Sequence, residues 1–94
     1  MSLSLAVTGL GAIAPNGHDA DAFWASCVAG TSGVRRLERI DTSGLDVDFG
    51  GEIVGFDIGA HVSKRDTSRL DWTQALAAAA VRMAASDAQL DHHP

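Results

Sequence analysis

The sequence predicts an α/β fold, in which short strands alternate with helices. Three stretches support that prediction. They are an apolar run over residues 3–8 that enters a glycine-rich loop, a short helical segment that ends near Ala29, and a long alanine-rich helical segment from about Ser68. A brief apolar run bounded by turn residues is typical of a buried strand, whereas apolar residues three and four positions apart are typical of a helix. We therefore expect both kinds of element to pack around one core.

The composition excludes several classes of function. With 94 residues, the chain has the length of one domain or part of one. Its formal net charge is −5 and the acidic residues form no block, which argues against non-specific binding to nucleic acid or to a bilayer. No apolar run approaches the roughly 20 residues that span a membrane, and the N-terminus lacks the basic segment of a secretory signal. We expect a cytoplasmic protein that binds neither nucleic acid nor membrane.

Bulky side chains that could anchor a core are few. The chain has two tryptophans, three phenylalanines and no tyrosine, and much of its apolar content is alanine. A small fold that stands alone normally needs more large apolar residues or a covalent staple. Its single cysteine, Cys27, excludes an internal disulfide, which fits a reducing compartment.

The N-terminal part of the chain predicts a strand, a loop and a helix, in that order. Residues 3–8 are nearly all apolar, so the predicted strand is covered on both faces. Two glycines, a proline and an Asn-Gly pair make residues 9–17 a loop. Asp19 or Asp21 can cap a helix that continues to about Ala29, where the following glycine stops it.

The middle of the chain carries weaker signals. Residues 35–43 are polar and predict an irregular segment. A second strand is predicted over 48–54, although two adjacent glycines weaken it. A short turn is expected over 57–63, and the polar tail from residue 87 onward predicts no further element.

The last helix is the clearest element. Apolar side chains repeat at helical spacing over residues 68–85, and Asp66 or Thr67 is placed to cap the first turn. Residues 75–80 are small on almost every side, which lets a helix lie close against another backbone. High helix propensity explains the alanines nearly as well, so both interpretations stay open.

A glycine motif in the first loop has the form of a nucleotide-binding sequence. Residues 9–14 fit the pattern Gly-x-Gly-x-x-Ala after a strand. That pattern needs a helix from its second glycine, so that the helix N-terminus meets a pyrophosphate. Pro15 and an Asn-Gly pair occupy the first turns of that helix instead. We interpret the motif as a tight turn that packs closely against a neighbour.

No catalytic, cofactor or metal site is predicted from the nucleophilic and metal-ligating residues. Cys27 has no base or cation near it in sequence, so we expect a buried structural thiol. The chain has four histidines: His18, His61, His92 and His93. Their spacing fits no metal site, and solvated histidines are the simpler explanation.

One cluster of positive charge stands out near the predicted start of the last helix. Lys64, Arg65 and Arg69 are three of the seven basic residues and fall within six positions. Cations there oppose the helix dipole, at a cost of roughly a few tenths of a kcal/mol each, which suggests a docking site for an acidic partner or a phosphate. The alternative is a solvated face that Asp66 and Asp71 partly neutralise. The residues alone favour this alternative, because most surface ion pairs contribute little.

Several short motifs occur in a fixed order along the chain. They are Val-Thr-Gly-Leu-Gly at 7–11, Pro-Asn-Gly at 15–17, Phe-Trp at 23–24, Ala-Gly-Thr-Ser-Gly at 29–33, Ile-Asp-Thr-Ser at 40–43, Gly-Glu-Ile at 51–53, Phe-Asp at 56–57 and Leu-Asp-Trp-Thr-Gln-Ala at 70–75. In this order and spacing they resemble the elongating β-ketoacyl-[acyl-carrier-protein] synthases, the ketosynthases of fatty-acid and polyketide synthesis. The resemblance implies that residues 1–94 are the N-terminal segment of a ketosynthase domain whose catalytic part is absent.

The resemblance implies a thiolase-like fold, a layered αβαβα arrangement that is usually a dimer. It implies an acyltransferase that condenses malonyl-carrier-protein with an acyl chain on a cysteine, by decarboxylative Claisen condensation and without a cofactor. That cysteine and two histidines would lie beyond residue 94, so no catalytic residue is assigned and Cys27 is not in the nucleophile's position. Lys64, Arg65 and Arg69 match positions that meet the acidic acyl carrier protein, so the resemblance favours docking there.

Departures from the family pattern leave the branch open. Trp72 replaces the customary arginine, Leu70 a methionine and Ile40 a phenylalanine, while Ser68 removes a possible cation. These changes suit the polyketide branch, including its chain-length-factor subunit, which lacks the catalytic cysteine.

Three hypotheses for the function of the chain stay open. They are a segment of an active ketosynthase, a segment of a non-catalytic partner in a ketosynthase/chain-length-factor heterodimer, and a small independent α/β binding module. Whether the chain belongs to an enzyme therefore stays open at this point.

Overall fold

A computed structural model describes residues 2–90 of the chain, which form two compact units. One unit comprises residues 2–11 and 58–90, and the other comprises residues 12–57. In chain order the elements are α1 (Ala20–Ala29), β1 (Val34–Arg36), β2 (Phe49–Gly51), a 3₁₀ turn (Ile58–Ala60), α2 (Lys64–Thr67) and α3 (Trp72–Asp87). The described residues thus contain both helices and a small sheet, as an α/β segment requires.

Helix α1 begins and ends where the sequence predicts. Asp19 is its N-cap, and one carboxylate oxygen accepts a hydrogen bond from the Ala22 backbone N–H at 2.7 Å. Gly30 ends the helix in the left-handed conformation, with φ of 72°, which favours glycine. Its N–H donates to the Cys27 carbonyl at 3.2 Å. Both end signals are local in sequence, which is why the sequence alone could place them.

The side of α1 that carries Phe23, Trp24, Cys27 and Val28 is largely exposed. Trp24 is 69% and Val28 is 70% exposed, and Phe23 is more covered, at 37%. Cys27 is also exposed. The prediction of a buried thiol is therefore wrong for this structure, because nothing within residues 2–90 covers Cys27.

The sheet of the second unit is short and antiparallel. Val34 lies opposite Gly51, and Arg36 lies opposite Phe49. Strand β2 falls within the strand predicted over 48–54, but β1 falls largely in the segment predicted to be irregular. Three residues are too few to show an alternating pattern, so the pairing of β1 could not be seen in its sequence.

The apolar run over residues 3–8 forms no strand among the described residues. Leu3, Leu5 and Val7 are exposed by 88%, 91% and 83%, respectively. No segment within residues 2–90 pairs with this run. A strand backbone needs a neighbour for its N–H and C=O groups, so the prediction of a covered strand here is wrong for this structure.

Two helices occur where the sequence predicts one over residues 68–85, and the first of them lies before that range. The first, α2, has only four residues and is capped by Ser63, whose Oγ accepts the Asp66 N–H at 3.1 Å. The two residues predicted as caps, Asp66 and Thr67, therefore lie inside α2. Several capping residues follow one another in this stretch, and the sequence alone does not show which of them ends a helix and which begins one.

Helix α3 begins at Trp72 with a reciprocal capping box. The Asp71 carboxylate accepts the Gln74 backbone N–H at 2.8 Å, and the Gln74 side-chain oxygen accepts the Asp71 backbone N–H at 3.1 Å. The helix continues to Asp87, two residues beyond its predicted end. The long alanine-rich helix is thus confirmed, but its start lies four residues later than predicted.

The core of the first unit lies against the inner side of α3. Ala75 and Ala79 are 4% and 0% exposed, and Val62 is 1% exposed. The buried alanines have little side chain to separate α3 from the elements that cover it. Close packing of the small residues is therefore the interpretation that the structure supports.

The first two glycines of the N-terminal loop lie directly against α3. A Cβ added to Gly9 would approach the Ala88 backbone nitrogen to 2.7 Å, and one added to Gly11 would approach that of Ala84 to 2.9 Å. Between them, the Leu10 N–H donates to an Asp87 carboxylate oxygen at 2.9 Å. Packing of these glycines against a neighbouring backbone, as predicted, is confirmed.

Candidate functional site

The predicted docking residues lie on one short stretch of the first unit. Lys64 and Arg65 form the first half of α2, and Arg69 lies in the connection to α3. All three side chains are exposed. Backbone and hydroxyl hydrogen bonds fix this stretch: the Thr67 hydroxyl donates to the Lys64 carbonyl at 2.9 Å, and the Arg69 N–H donates to the Asp66 carbonyl at 3.0 Å.

The cluster does not lie in the first turn of the long helix, as the sequence suggested. Asp71 is the N-cap of α3, and all three cations precede it. Lys64 and Arg65 belong to α2, so the argument that the cluster opposes the dipole of the long helix is limited to Arg69, two residues before the N-cap. Their clustering needs an explanation other than helix electrostatics.

The two carboxylates expected to neutralise the cluster are engaged elsewhere. Asp66 forms an ion pair with Arg82 at 3.3 Å, and Asp71 caps α3. Within residues 2–90, Lys64, Arg65 and Arg69 form no ion pair. Partial neutralisation by Asp66 and Asp71 is therefore not seen in the described part of the chain, whereas the exposure of all three cations fits a solvated face and a dock equally.

Arg82 is the charged residue of this region that sequence reasoning missed. It lies in the second half of α3, sixteen residues from Asp66, and the fold brings the two together. Their side chains are 55% and 43% exposed, so the pair contributes only about 0–1 kcal/mol. No local pattern could reveal it, because the contact depends on how α3 packs beside α2.

A cavity of about 170 Å³ adjoins the cluster within the same unit. Its lining is part apolar and part charged, and consists of Val62, Leu70 and Ala78 with Asp66, Arg69 and Arg82. Arg69 thus belongs both to the basic cluster and to the cavity wall. The stretch thus combines exposed positive charge with an adjacent recess whose walls are partly apolar.

Two carboxylates of the second unit have structural partners. Glu52 is 8% exposed, and its two oxygens accept the Glu38 and Arg39 backbone N–H groups at 2.7 and 2.9 Å. Hydrogen bonds from the Ser43 backbone and side chain hold the pKa of Asp41 below its usual value. Neither arrangement resembles a general acid or base.

The described residues offer no assembled centre of another kind. Within residues 2–90, no three metal-ligating side chains lie together, and His92 and His93 lie outside the described residues. Cys27 has no hydrogen bond to a base in that range. No helix in the described part of the chain is long and apolar enough to cross a membrane.

Comparison with known proteins places the chain in a family. The family described as β-ketoacyl synthase, N-terminal domain, matches residues 3–94. The chain belongs to this family. The resemblance expected from the ordered motifs is thereby confirmed, and the match extends over both units of this β-ketoacyl synthase chain.

Two curated relatives of this β-ketoacyl synthase chain come from different branches. 3-Oxoacyl-[acyl-carrier-protein] synthase 2 of Staphylococcus aureus is 36% identical over 90 residues, which covers 96% of this chain and 22% of the relative. The tetracenomycin polyketide synthase ketoacyl synthase beta subunit of Streptomyces glaucescens is 40% identical over 85 residues, which covers 90% and 21%, respectively. The chain spans about a fifth of the length of these relatives.

A solved structure confirms the predicted fold class. The ishigamide ketosynthase/chain length factor matches this chain with a TM-score of 0.76 and 34% identity, over 88% of this chain and 21% of the other. The β-ketoacyl synthase chain therefore has the α/β fold of a ketosynthase N-terminal region, which is thiolase-like. Neither the docking role of Lys64, Arg65 and Arg69 nor the chemistry of the whole protein follows from this likeness.

Proposed function

We propose that residues 1–94 form the N-terminal segment of a ketosynthase domain in fatty-acid or polyketide synthesis. The whole protein would condense malonyl-carrier-protein with an acyl thioester by decarboxylative Claisen condensation. Support comes from the family match over residues 3–94 and from relatives named as 3-oxoacyl-[acyl-carrier-protein] and polyketide synthases. The described residues bring no nucleophile and base together, so we assign the chemistry to the rest of the protein.

We propose that this segment contributes scaffold and part of the dock for an acidic acyl carrier protein. The observation that carries this proposal is the exposed cluster of Lys64, Arg65 and Arg69, whose neighbouring carboxylates are engaged elsewhere. Uncompensated charge at neighbouring positions attracts a partner of opposite sign and raises the rate of productive encounter. The net charge of −5 makes this positive patch a local exception on an acidic chain.

A charge-reversal experiment on the full-length protein tests the docking role. We expect Lys64→Glu with Arg65→Glu to weaken binding of a purified acyl carrier protein about tenfold at low salt, chiefly through slower association. The loss should shrink as added salt screens the charges. Surface plasmon resonance at several salt concentrations measures both rate constants.

A matched control separates local charge from net charge. Arg35→Glu with Arg36→Glu reverses two adjacent exposed cations of the second unit and changes the net charge by the same amount, and we expect it to change affinity less than about twofold, as is usual for charges outside an interface. Unchanged carrier affinity of the Lys64→Glu, Arg65→Glu variant at low salt would remove the docking role.

A second candidate is a segment of a non-catalytic, chain-length-factor-like partner. The 40% identity to a ketoacyl synthase beta subunit and the likeness to a ketosynthase/chain length factor favour it. The sequence that follows residue 94 in the gene discriminates the two: a cysteine in an Ala-Cys-Ser or Ala-Cys-Ala context supports the enzyme, and glutamine in its place supports the partner.

The two candidate functions also differ in the assembly that they predict. An active ketosynthase would form a homodimer or a heterodimer, whereas a chain-length-factor-like partner would form a heterodimer. We propose a cytoplasmic location for either, since the single cysteine fits a reducing compartment.

A further inference from the structure

The cavity beside the basic cluster has a mixed lining that charge attraction alone does not explain. Val62, Leu70 and Ala78 supply apolar walls, whereas Arg69 and the Asp66–Arg82 pair supply charged ones. A dock that recognised only charge would need exposed cations and no recess. Here Arg69 joins the recess to the cluster, so a partner that engages the cluster brings its own surface over the cavity.

We infer that the cavity receives one aliphatic side chain from the acidic partner that docks on Lys64, Arg65 and Arg69. This inference rests on the proposed docking function and adds a specificity determinant to it. The occupant is a leucine-, isoleucine- or methionine-sized side chain that projects from an acidic surface of a carrier protein. The carboxylates of the partner face the cluster while its aliphatic side chain contacts Leu70 and Ala78.

The size and the walls of the cavity fit such an occupant. Its volume is about 170 Å³, and an apolar cavity of about 150 Å³ in another protein holds a benzene molecule. Val62 is 1% exposed and therefore fixed within the core of its unit. The Asp66–Arg82 ion pair, at 3.3 Å, links α2 to α3 across the cavity lining and keeps the Asp66 charge from neutralising the cluster.

The two parts of the dock have separable consequences for binding. Exposed charges act mainly on the association rate and are weakened by salt. An aliphatic group desolvated in a recess acts mainly on the dissociation rate and resists salt, because burial of apolar surface does not depend on ion screening. Salt dependence therefore distinguishes the cavity from the cluster.

Filling the cavity from α3 tests the inference in the full-length protein. Ala78 lines the cavity and is half-buried, whereas Ala77, the preceding residue, is exposed. We expect Ala78→Leu to weaken binding of a purified acyl carrier protein about tenfold by faster dissociation, at low and at high salt alike. The matched control Ala77→Leu should bind like the wild type.

A second measurement keeps the test decisive if Ala78→Leu does not fold, as circular dichroism would reveal. In the carrier protein, each exposed apolar residue of the acidic face is replaced by alanine in turn. The affinity of each carrier variant is then measured for the wild-type ketosynthase and for its Leu70→Ala variant, which lacks one cavity wall. At least one carrier variant should bind the wild-type ketosynthase about tenfold more weakly than the unmodified carrier does. The same carrier substitution should cost little affinity for the Leu70→Ala ketosynthase, as expected for two residues in contact in a double-mutant cycle.

The possible outcomes separate this inference from the docking proposal. If Ala78→Leu binds like the wild type while Lys64→Glu with Arg65→Glu weakens binding, the cavity inference is overturned and docking stands. If a loss in Ala78→Leu disappears at high salt, or if no carrier side chain couples to Leu70, the inference is also overturned. If neither the filled cavity nor the reversed charges change binding, both proposals fall.

Discussion

Glu52 shows how a single buried charge organises the second unit. Its carboxylate accepts one backbone N–H with each oxygen, from Glu38 and Arg39. An ionised carboxylate is costly to bury unless hydrogen bonds replace its water, and here the chain that follows β1 supplies them. Glu52 thereby ties the exit of β1 to the exit of β2 and serves structure, not chemistry. The sequence offered it only as part of a family motif.

Removal of the Glu52 carboxylate should destabilise the protein. In Glu52→Ala the two backbone N–H groups lose their acceptors, so we expect the free energy of unfolding to fall by about 2 kcal/mol. Glu52→Gln keeps one acceptor oxygen and should lose less. Chemical denaturation of the full-length protein measures the difference.

The matched control for this prediction is Glu38→Gln. The Glu38 side chain is exposed and only its backbone N–H takes part in the contact, so stability should stay within about 0.5 kcal/mol of the wild type. If Glu52→Ala is no less stable than Glu38→Gln, Glu52 has no anchoring role.

At the scale of elements, capping decides where the region of the basic cluster becomes helical. The reciprocal bonds between Asp71 and Gln74 start α3 after the cluster, so Arg69 lies in a connection and not in the long helix. Lys64 and Arg65 belong to α2, so all three exposed cations precede the sixteen-residue helix. The cap thereby positions the proposed dock.

Loss of this cap should weaken α3 in a graded way. We expect Asp71→Ala to lower the free energy of unfolding by about 1 kcal/mol, and Asp71→Asn to lower it less because asparagine also caps helices. Asp46→Ala is the control, since Asp46 is exposed and outside every helix. Urea denaturation should rank the variants in that order, and an equal effect of Asp71→Ala and Asp46→Ala would contradict the assignment of the cap.

The elements differ in how far the sequence could predict them, and the difference follows from the range of the interactions. Helix α1 was predictable because Asp19 and Gly30 act on their own turns. The start of α3 was misplaced because Ser63, Asp66 and Asp71 are all capable caps. Strand β1 and the Asp66–Arg82 pair depend on partners distant in sequence. The basic cluster itself was visible, but the engagement of its neighbouring carboxylates needed the fold.

For the whole molecule, the main feature is the amount of apolar surface that the described residues leave uncovered. Large apolar side chains that are more than half exposed occur in both units: Leu3, Leu5, Val7, Leu10, Val81 and Leu90 in the first, and Trp24, Val28, Val34, Ile40, Leu45, Val47 and Phe49 in the second. Such surface supports the proposal that further parts of a ketosynthase cover it.

This uncovered surface predicts how the 94-residue chain behaves by itself. Few anchors and a small core leave little apolar burial to offset the entropy of ordering the chain. We therefore expect the isolated chain to bind a hydrophobic dye and to lose its circular dichroism gradually on heating, without a cooperative transition. The full-length protein, measured in the same buffer, should melt cooperatively and bind little dye. A sharp, reversible transition of the isolated chain without dye binding would instead favour the independent α/β module, because only a completed core melts as one unit.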